Sequence, residues 1–143
     1  MDACNQPRRV LVVEDEAAVR DMIVDVLIED GFDVHAVASA REALLHLGAQ
    51  WPVDVLFTDI DLAGELDGIR LAQLARKVRP DLALVITSGR ERSLDEIPSG
   101  AVFVTKPYEP GEICALLTRV TQRRRRSYSS SPPLARNASS QWI

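Results

Sequence analysis

The sequence has few cysteines, few aromatic residues and no long apolar run. Its two cysteines, Cys4 and Cys114, lie far apart without a CxxC motif, which argues against a disulfide framework or a zinc site and favours free thiols in a reducing cytoplasm. No apolar stretch approaches the ~20 residues that a membrane-spanning helix needs. The first seven residues lack the charged and apolar regions of a secretion signal. We therefore expect a cytoplasmic protein that does not enter a membrane.

Length and charge narrow the class of protein further. A chain of 143 residues that is 46% hydrophobic and 27% charged has the size and composition of one globular domain. Its net charge of −4 argues against nucleic-acid binding by the folded part. We predict an N-terminal extension over residues 1–7, one domain over 8–122, and a basic, Ser- and Pro-rich tail over 123–143. The tail has too few apolar residues to offset the entropy of ordering, which predicts disorder.

The arginine run Arg123–Arg126 has two interpretations. The favoured one is a solvated extension of the last helix, and the minor one is contact with anionic lipid or nucleic acid. His35 and His46 are interpreted as surface residues without a metal or catalytic partner. Trp51 is expected to cover an edge of the core.

Short apolar runs alternate with segments of helical period along the domain. Continuous apolar runs of this length suit parallel strands that are buried on both faces. The predicted strands are Val10–Val13, Asp33–Ala38, Val53–Thr58, Leu82–Thr87 and Ala101–Thr105. Five strands that alternate with helices predict an α/β fold, with a parallel sheet covered on both faces.

The helices are predicted from apolar residues three and four positions apart. Gly31 is expected to end the first helix, Ser39 to cap the second, and Pro110 to lie in the first turn of the last. In the third helix, which follows Gly68, the predicted core residues include Val78. The pattern weakens over residues 90–100, so the helix between the fourth and fifth strands is predicted to be short or absent.

Polar residues end four of the predicted strands. Glu14 and Asp15 follow the first strand, Asp59 the third, Ser88 the fourth and Lys106 the fifth. Because the carboxyl ends of parallel strands meet at one edge of the sheet, these side chains are expected to share a cleft. Three crowded carboxylates raise one another's pKa unless a cation lies among them. Hard oxygen ligands of this kind suit Mg²⁺.

The same cleft predicts phosphoryl chemistry at Asp59. A carboxylate can act as a nucleophile and form an acyl phosphate, while a metal ion offsets the repulsion between the two anions. Lys106 would pair first with Asp59 and then with a phosphoryl oxygen. Ser88, with the backbone amides of residues 60–63 and of Gly89, would donate hydrogen bonds to the other phosphoryl oxygens.

These four motifs, in this order on these strand ends, resemble the receiver domain of bacterial response regulators. The motifs are Glu14-Asp15, Asp59, Ser88-Gly89 and Lys106-Pro107-Tyr108, and the resemblance covers residues 8–122. It implies a flavodoxin-like, doubly wound sheet of five parallel strands in the order 2-1-3-4-5. Two departures are Leu62-Ala63 in place of Met-Pro, and a short segment between Ser88 and Lys106.

The resemblance also implies a role for each matching residue. Asp59 would be the phospho-acceptor, and the Mg²⁺ ligands would be Asp15, Asp59 and the backbone carbonyl of Asp61, with Glu14 acting through water. Ser88 would be the switch hydroxyl, with Thr87 as its alternative, beside Lys106 and the rotating aromatic residue Phe103. A cis peptide bond would join Lys106 to Pro107.

We therefore predict a single-domain phosphorelay response regulator that is not an enzyme. Its expected partners are a sensor histidine kinase or a histidine phosphotransfer protein and an unknown downstream protein, without a DNA-binding domain, in a monomer or weak homodimer. One alternative is a receiver-like scaffold that is insensitive to phosphate. The other is a small hydrolase that uses Asp59 and Asp61 as a DxD motif.

Overall fold

The computed structural model describes residues 6–49, 51–89 and 96–129. Its strands are β1 Arg9–Val13, β2 Asp33–Val37, β3 Val55–Asp59, β4 Ala83–Ser88 and β5 Val102–Thr105. Its helices are α1 Ala17–Glu29, α2 Ala40–Gly48, α3 Gly68–Val78 and α4 Pro110–Ser129. The five predicted strands are confirmed, with ends that differ from the predictions by one or two residues.

The strands form one parallel sheet in the order β2-β1-β3-β4-β5. This order confirms the predicted doubly wound α/β fold. Strand β1 lies between β2 and β3, so the order reverses next to it, and ligand chemistry in such sheets collects at this point. Because every pair is parallel, the carboxyl ends of all five strands lie on one edge of the sheet. We call this edge the carboxyl edge.

Apolar side chains fill both faces of the sheet. On one face, residues such as Leu11, Leu56 and Leu84 are buried under α2 and α3. On the other face, Val10, Phe57 and neighbouring residues are buried against apolar residues of α1 and α4. Burial on both faces explains why the strands are continuous apolar runs rather than alternating ones.

Local signals mark several helix ends as predicted. The Ser39 hydroxyl accepts a hydrogen bond from the Glu42 amide at 3.2 Å, which caps α2. Gly31 follows α1 with a φ of +95°, a conformation that favours glycine. Helix α4 begins at Pro110, where the missing amide proton costs no helical hydrogen bond.

One prediction for a helix face was wrong. Val78 was expected to face the core but is 48% exposed, because it occupies the last position of α3. The buried residues of α3 lie earlier in the helix and include Ile69, Leu71 and Ala75.

The connection from β4 to β5 differs from the others in the sheet. Its described residues, Gly89 and 96–101, form turns and contain no helix, in agreement with the prediction for this part; residues 90–95 lie outside the described residues. Side chains of α3 hold the far end of the connection. Gln73 Nε2 donates to the Glu96 carbonyl at 2.8 Å, and Arg76 Nη1 to the Ser99 carbonyl at 2.6 Å.

Helix α4 continues past the predicted end of the domain at residue 122. Its backbone is helical to Ser129, so Arg123–Arg126 extend the last helix. The helix thus continues into the segment predicted as a tail, in agreement with the favoured interpretation of Arg123–Arg126; the predicted disorder of the tail stays a prediction, since residues 130–143 lie outside the described residues. Within the described part of the chain, no helix combines the length and the apolar character of a transmembrane segment.

Candidate functional site at the carboxyl edge of the sheet

Buried polar side chains are concentrated at the carboxyl edge. Among the described residues, six polar or charged side chains are buried, and five of them lie at the ends of β1, β3 and β4. These five are Glu14, Thr58, Asp59, Thr87 and Ser88. Removing such groups from water is costly unless they find polar partners. Their common location therefore indicates a functional site.

The sheet itself positions the residues of this site. Its hydrogen-bond ladder continues past the ends of the strands, as the Glu14 amide donates to the Val37 carbonyl at 3.1 Å. On the other side of the site, the Lys106 amide donates to the Ser88 carbonyl at 2.9 Å. These backbone contacts fix where the side chains of Glu14 and Lys106 begin.

Three charged side chains meet at the centre of the site. The Lys106 ammonium Nζ lies 2.9 Å from Oδ2 of Asp59 and 3.9 Å from Oε1 of Glu14. Asp59 is 6% exposed and Glu14 is 4% exposed, so both carboxylates are largely removed from water. Among the described residues, one cation therefore faces two buried anions, and the negative charge of this cluster is only partly offset.

Burial and neighbouring charges shift the pKa values of this cluster. Burial raises the pKa of Glu14; the Glu16 amide lowers it, Asp59 raises it, and Lys106 partly offsets the rise. For Lys106, burial by itself lowers the pKa, but the hydrogen bond and charge of Asp59 outweigh burial, so the net pKa is raised. Lys106 therefore stays charged beside Asp59 at neutral pH.

The loop after β3 joins Asp15 and Asp61 to the site. The Ala63 amide donates to Oδ2 of Asp15 at 3.0 Å, and the Asp61 amide donates to Oδ1 of Asp59 at 3.2 Å. Both Asp15 and Asp61 are exposed, in contrast to the buried Asp59. The loop ends at Gly68, where a Cβ atom would overlap the carbonyl oxygen of Asp59. Glycine is therefore required where α3 begins against the Asp59 backbone.

Both candidate switch hydroxyls lie at the end of β4. Ser88 is fully buried, and its hydroxyl lies 3.5 Å from Oδ2 of Asp61. Thr87 is also buried and pairs with Asp59 in the register of β3 and β4. The assignment of the switch role to Ser88 stays a prediction. Phe103 is half-buried against the apolar cluster under α2 and α3, and its rotation likewise stays a prediction.

The backbone amides after Asp59 already have partners. The Ile60 amide donates to the Thr87 carbonyl at 2.8 Å, and the Leu62 amide to the Ile60 carbonyl at 3.0 Å. With the contacts of Asp61 and Ala63, all four amides of residues 60–63 are engaged. These four amides are therefore not unoccupied donors that await a phosphoryl group. Of the four, those of Asp61 and Ala63 are bonded to carboxylates of the site.

The donor set fits a hard divalent cation. Glu14, Asp15 and Asp59 are close enough for the charge of Asp59 and a contact with Asp15 to raise the pKa of Glu14, so an added cation would relieve their repulsion. Over the described ranges, no three His, Cys, Asp or Glu side chains form a ready-made metal cage. Mg²⁺ needs no such cage, because it is commonly held by one or two carboxylates and keeps several waters. The cis peptide bond implied for Lys106-Pro107 is present.

Sequence reasoning missed Arg20, and it gave Tyr108 no role beyond its place in the Lys106-Pro107-Tyr108 motif. Arg20, on α1, donates from Nη1 to the Glu14 carbonyl at 2.8 Å. Tyr108 is half-buried, and its ring lies edge-on to Phe57 with 6.3 Å between centroids. Burial raises the pKa of Tyr108, Lys106 lowers it, and Glu14 and Asp59 add to the rise. Its place directly after Lys106-Pro107 was a usable signal for Tyr108, whereas Arg20 had none.

His35 and His46, which were interpreted as surface residues without a metal or catalytic partner, are both partly buried and pack against each other. The rings of His35 and His46 lie 3.9 Å apart between centroids, and Trp51 lies 5.1 Å from His35. This cluster joins β2 to the last turn of α2 at an edge of the sheet. Trp51 packs against the core there, as predicted. No contact links the two histidines to the residues of the carboxyl edge in the described structure.

The fold and the site together define the class of the protein. Residues 10–118 match the response regulator receiver domain family, and the chain belongs to that family. Receiver domains are mainly signalling modules that accept a phosphoryl group, and they interact with histidine kinases or phosphotransfer proteins. Phosphorylation and Mg²⁺ binding are typical of the family.

Two curated relatives illustrate the match. The chain is 33% identical over 144 residues to the transcriptional regulatory protein AruR of Pseudomonas aeruginosa, covering 94% of this chain and 57% of that protein. It is 32% identical over 122 residues to the phosphate regulon transcriptional regulatory protein PhoB of Escherichia coli, covering 81% of this chain and 52% of that protein. The chain thus spans about half the length of these relatives.

Solved structures agree on the fold. The receiver domain of the hybrid histidine kinase CckA has a TM-score of 0.69 at 28% identity, covering 79% of this chain and 98% of that one. A CheY-like receiver domain protein from Methanospirillum hungatei has a TM-score of 0.77, covering 85% and 99%. At 23% identity, this second likeness concerns the fold alone.

Proposed function

We propose that this protein is a phosphorelay response regulator that accepts a phosphoryl group on Asp59 from a histidine kinase or a histidine phosphotransfer protein. One observation carries the proposal. Asp59 is a buried carboxylate at a strand end, and its Oδ2 is paired at 2.9 Å with the ammonium of Lys106. Within the described residues, Asp59 is a buried anion that is ion-paired with Lys106 and lies beside an exposed loop, an arrangement that supports its role as the nucleophile.

The transfer step follows from this geometry. A carboxylate oxygen of Asp59 forms the new O–P bond while the P–N bond of the donor phosphohistidine breaks, and the released imidazole takes up a proton. The Lys106 ammonium, already paired with Asp59, is placed to move onto a phosphoryl oxygen as negative charge builds there. The amides of Asp61 and Ala63 are bonded to carboxylates, so they can exchange these partners for the phosphoryl group.

The residues proposed to hold Mg²⁺ are Asp15, Asp59 and the backbone carbonyl of Asp61, with Glu14 acting through a water molecule. When bound, the ion supplies positive charge that lets the anionic donor approach the carboxylates. Asp15 is exposed and held by the Ala63 amide, which suits a ligand that must be reached from solvent. Glu14 is buried behind it, which suits a contact through water.

We propose that the receiver domain passes its signal on through contacts with a downstream protein. The family match covers residues 10–118, and AruR and PhoB, which are transcriptional regulators by name, are matched over about half of their length. Phosphorylation of Asp59 would draw Ser88, or Thr87, toward the phosphoryl group and thereby shift the end of β4. The two conformations would then differ on the surface near β4 and β5.

Acetyl phosphate labelling with Mg²⁺, read by intact-protein mass spectrometry, tests the acceptor. We expect the wild type to gain one phosphoryl group and Asp59→Asn to gain none, because an amide is not a competent nucleophile. The matched control is Asp61→Asn, the same change two residues further along the loop, which should still be labelled. Labelling of Asp59→Asn at the wild-type rate would refute the assignment.

The same experiment separates the alternatives. A phosphate-insensitive scaffold would take up no label and would show no response to Mg²⁺ in a titration. A DxD hydrolase would turn over generic phosphate esters, and Asp61→Asn would abolish that turnover because it removes the general acid. A response regulator shows stoichiometric labelling without ester turnover.

A further inference from the structure

The turn between β1 and α1 carries two acidic residues of the site, Glu14 and Asp15. Backbone amides donate three of the hydrogen bonds that hold this turn, and a side chain donates a fourth. The Glu14 amide continues the sheet to the Val37 carbonyl, the Glu16 amide donates to Oε2 of Glu14 at 3.1 Å, and the Ala63 amide donates to Asp15. The fourth contact runs from Arg20 Nη1 to the Glu14 carbonyl, at 2.8 Å.

The contact with Arg20 controls the orientation of one peptide group. Because the peptide group is planar, fixing the Glu14 carbonyl also fixes the direction in which the chain enters Asp15. A hydrogen bond from a guanidinium is charge-assisted, and 2.8 Å lies in the short range for such bonds. Asp15 is exposed, so packing contributes little to its orientation; the Ala63 amide holds its carboxylate, and the Glu14 peptide group sets the direction of its backbone.

Arg20 is not one of the proposed cation ligands; it lies on α1 and contacts the backbone of one of them, Glu14. Its side chain is half-buried on α1, and its described contact is with the backbone of Glu14. Two effects on cation binding oppose each other. The positive charge of Arg20 disfavours a nearby cation, while the fixed carbonyl keeps Glu14 and Asp15 in place. The charge of a partly exposed residue is screened by solvent, whereas loss of an orienting partner commonly weakens metal binding ~10- to 100-fold.

We propose that Arg20 is a positioning residue for divalent-cation binding, and that it acts by holding the Glu14 carbonyl so that Glu14 and Asp15 are preset to receive the ion. This inference rests on the proposed function, because it concerns the same Mg²⁺ site. It goes beyond that function in assigning a task to a residue that contacts neither the ion nor the phosphoryl group.

The test is a Mg²⁺ titration of the full chain, read by the shift in Tm and by isothermal calorimetry. We expect Arg20→Ala to raise the Mg²⁺ concentration for half-saturation by roughly tenfold. Arg20→Lys keeps the charge but not the guanidinium geometry, so it should fall between Arg20→Ala and the wild type. The matched control is Arg119→Ala, which removes an exposed arginine from α4 and should bind like the wild type.

A second readout separates positioning from a general loss of structure. In acetyl phosphate labelling, Arg20→Ala should need more Mg²⁺ but reach the wild-type rate once Mg²⁺ is saturating. Equal or tighter Mg²⁺ binding by Arg20→Ala, with a normal wild-type response, would overturn the positioning role alone. Absence of any Mg²⁺ response in the wild type would instead overturn the proposed function, and this inference with it.

Discussion

The bodies of the strands and their carboxyl ends differ sharply in this molecule. Leu11, Leu56 and Leu84 lie side by side in the middle of β1, β3 and β4 and are almost fully buried among apolar neighbours. Three residues further along β1 and β3 stand Glu14 and Asp59, equally buried but charged. Burial therefore stabilises the folded protein in the strand bodies and destabilises it at the adjacent strand ends.

The strand bodies contribute to stability, whereas the strand ends carry the candidate functional site. Apolar burial in the strand bodies favours folding by roughly 25 cal/mol per Å². Buried carboxylates at the strand ends oppose folding, because ionised groups lose hydration and repel one another. The raised pKa of Glu14 and the shared location of these carboxylates therefore mark the strand ends as the candidate functional site.

The largest effect is expected in a strand body. Leu56→Ala removes a fully buried side chain at the centre of the sheet and should lower the free energy of unfolding by about 3 kcal/mol. Urea denaturation measures this change. The matched control is Leu45→Ala on α2, which is 69% exposed and should cost less than about 0.5 kcal/mol. Equal losses in the two variants would contradict the contrast between buried and exposed positions.

A smaller effect of opposite sign is expected at a strand end. Glu14→Gln keeps an acceptor for the Glu16 amide but removes a buried charge, so at neutral pH without Mg²⁺ it should raise the free energy of unfolding by about 1 kcal/mol. The same variant should bind Mg²⁺ more weakly. Denaturation with and without Mg²⁺ measures both changes.

The pH dependence sharpens this prediction. The pKa of Glu14 is raised in the folded protein, so its ionisation costs stability as the pH rises through the folded pKa. Below the ordinary value of 4.5 the carboxyl is neutral in both states, and the advantage of Glu14→Gln should vanish. Glu16→Gln, an exposed change in the same turn, is the control. A Glu14→Gln variant that is less stable than the wild type at neutral pH would contradict the assignment.

The smallest effect on the free energy of unfolding is expected at the cluster of His35, His46 and Trp51. In this cluster His35 is a titratable residue in the body of the edge strand β2. Burial lowers the pKa of His35, the charge of His46 lowers it further, and Asp33 partly offsets both. Below the ordinary pKa of about 6.5, the unfolded chain therefore binds more protons than the folded one. Stability should fall as the pH drops through this value, until the folded pKa is also passed.

Replacing His35 tests this pH dependence. His35→Phe keeps an aromatic ring beside Trp51 but cannot be protonated, so it should flatten the decline in the free energy of unfolding between pH about 7.5 and about 5.5. Asp33 is paired with Arg9 at 3.8 Å, and the substitution alters neither residue of this pair. An unaltered slope would show that His35 does not contribute.

Sequence reasoning reached the sheet and most of the site because both depend on local patterns. Apolar runs reveal doubly buried strands, and the alternation with helices then requires parallel pairing and a common carboxyl edge. Glu14, Asp59, Ser88 and Lys106 were identified by their positions at the ends of these runs. Val78 was mispredicted as a core residue, and the end of the last helix at Ser129 was not specified, because the ends of helices depend on what lies beside them.

By itself, the sequence determined the class of fold and the residue types that meet at the carboxyl edge, since periodicity and order along the chain are sufficient for both. Only the tertiary structure decided which groups touch. The Arg20 contact with Glu14, the occupied amides of residues 60–63 and the pairing of His35 with His46 all join distant or differently oriented groups. Such contacts depend on side-chain direction and packing in three dimensions, so periodicity and residue order along the chain do not predict them.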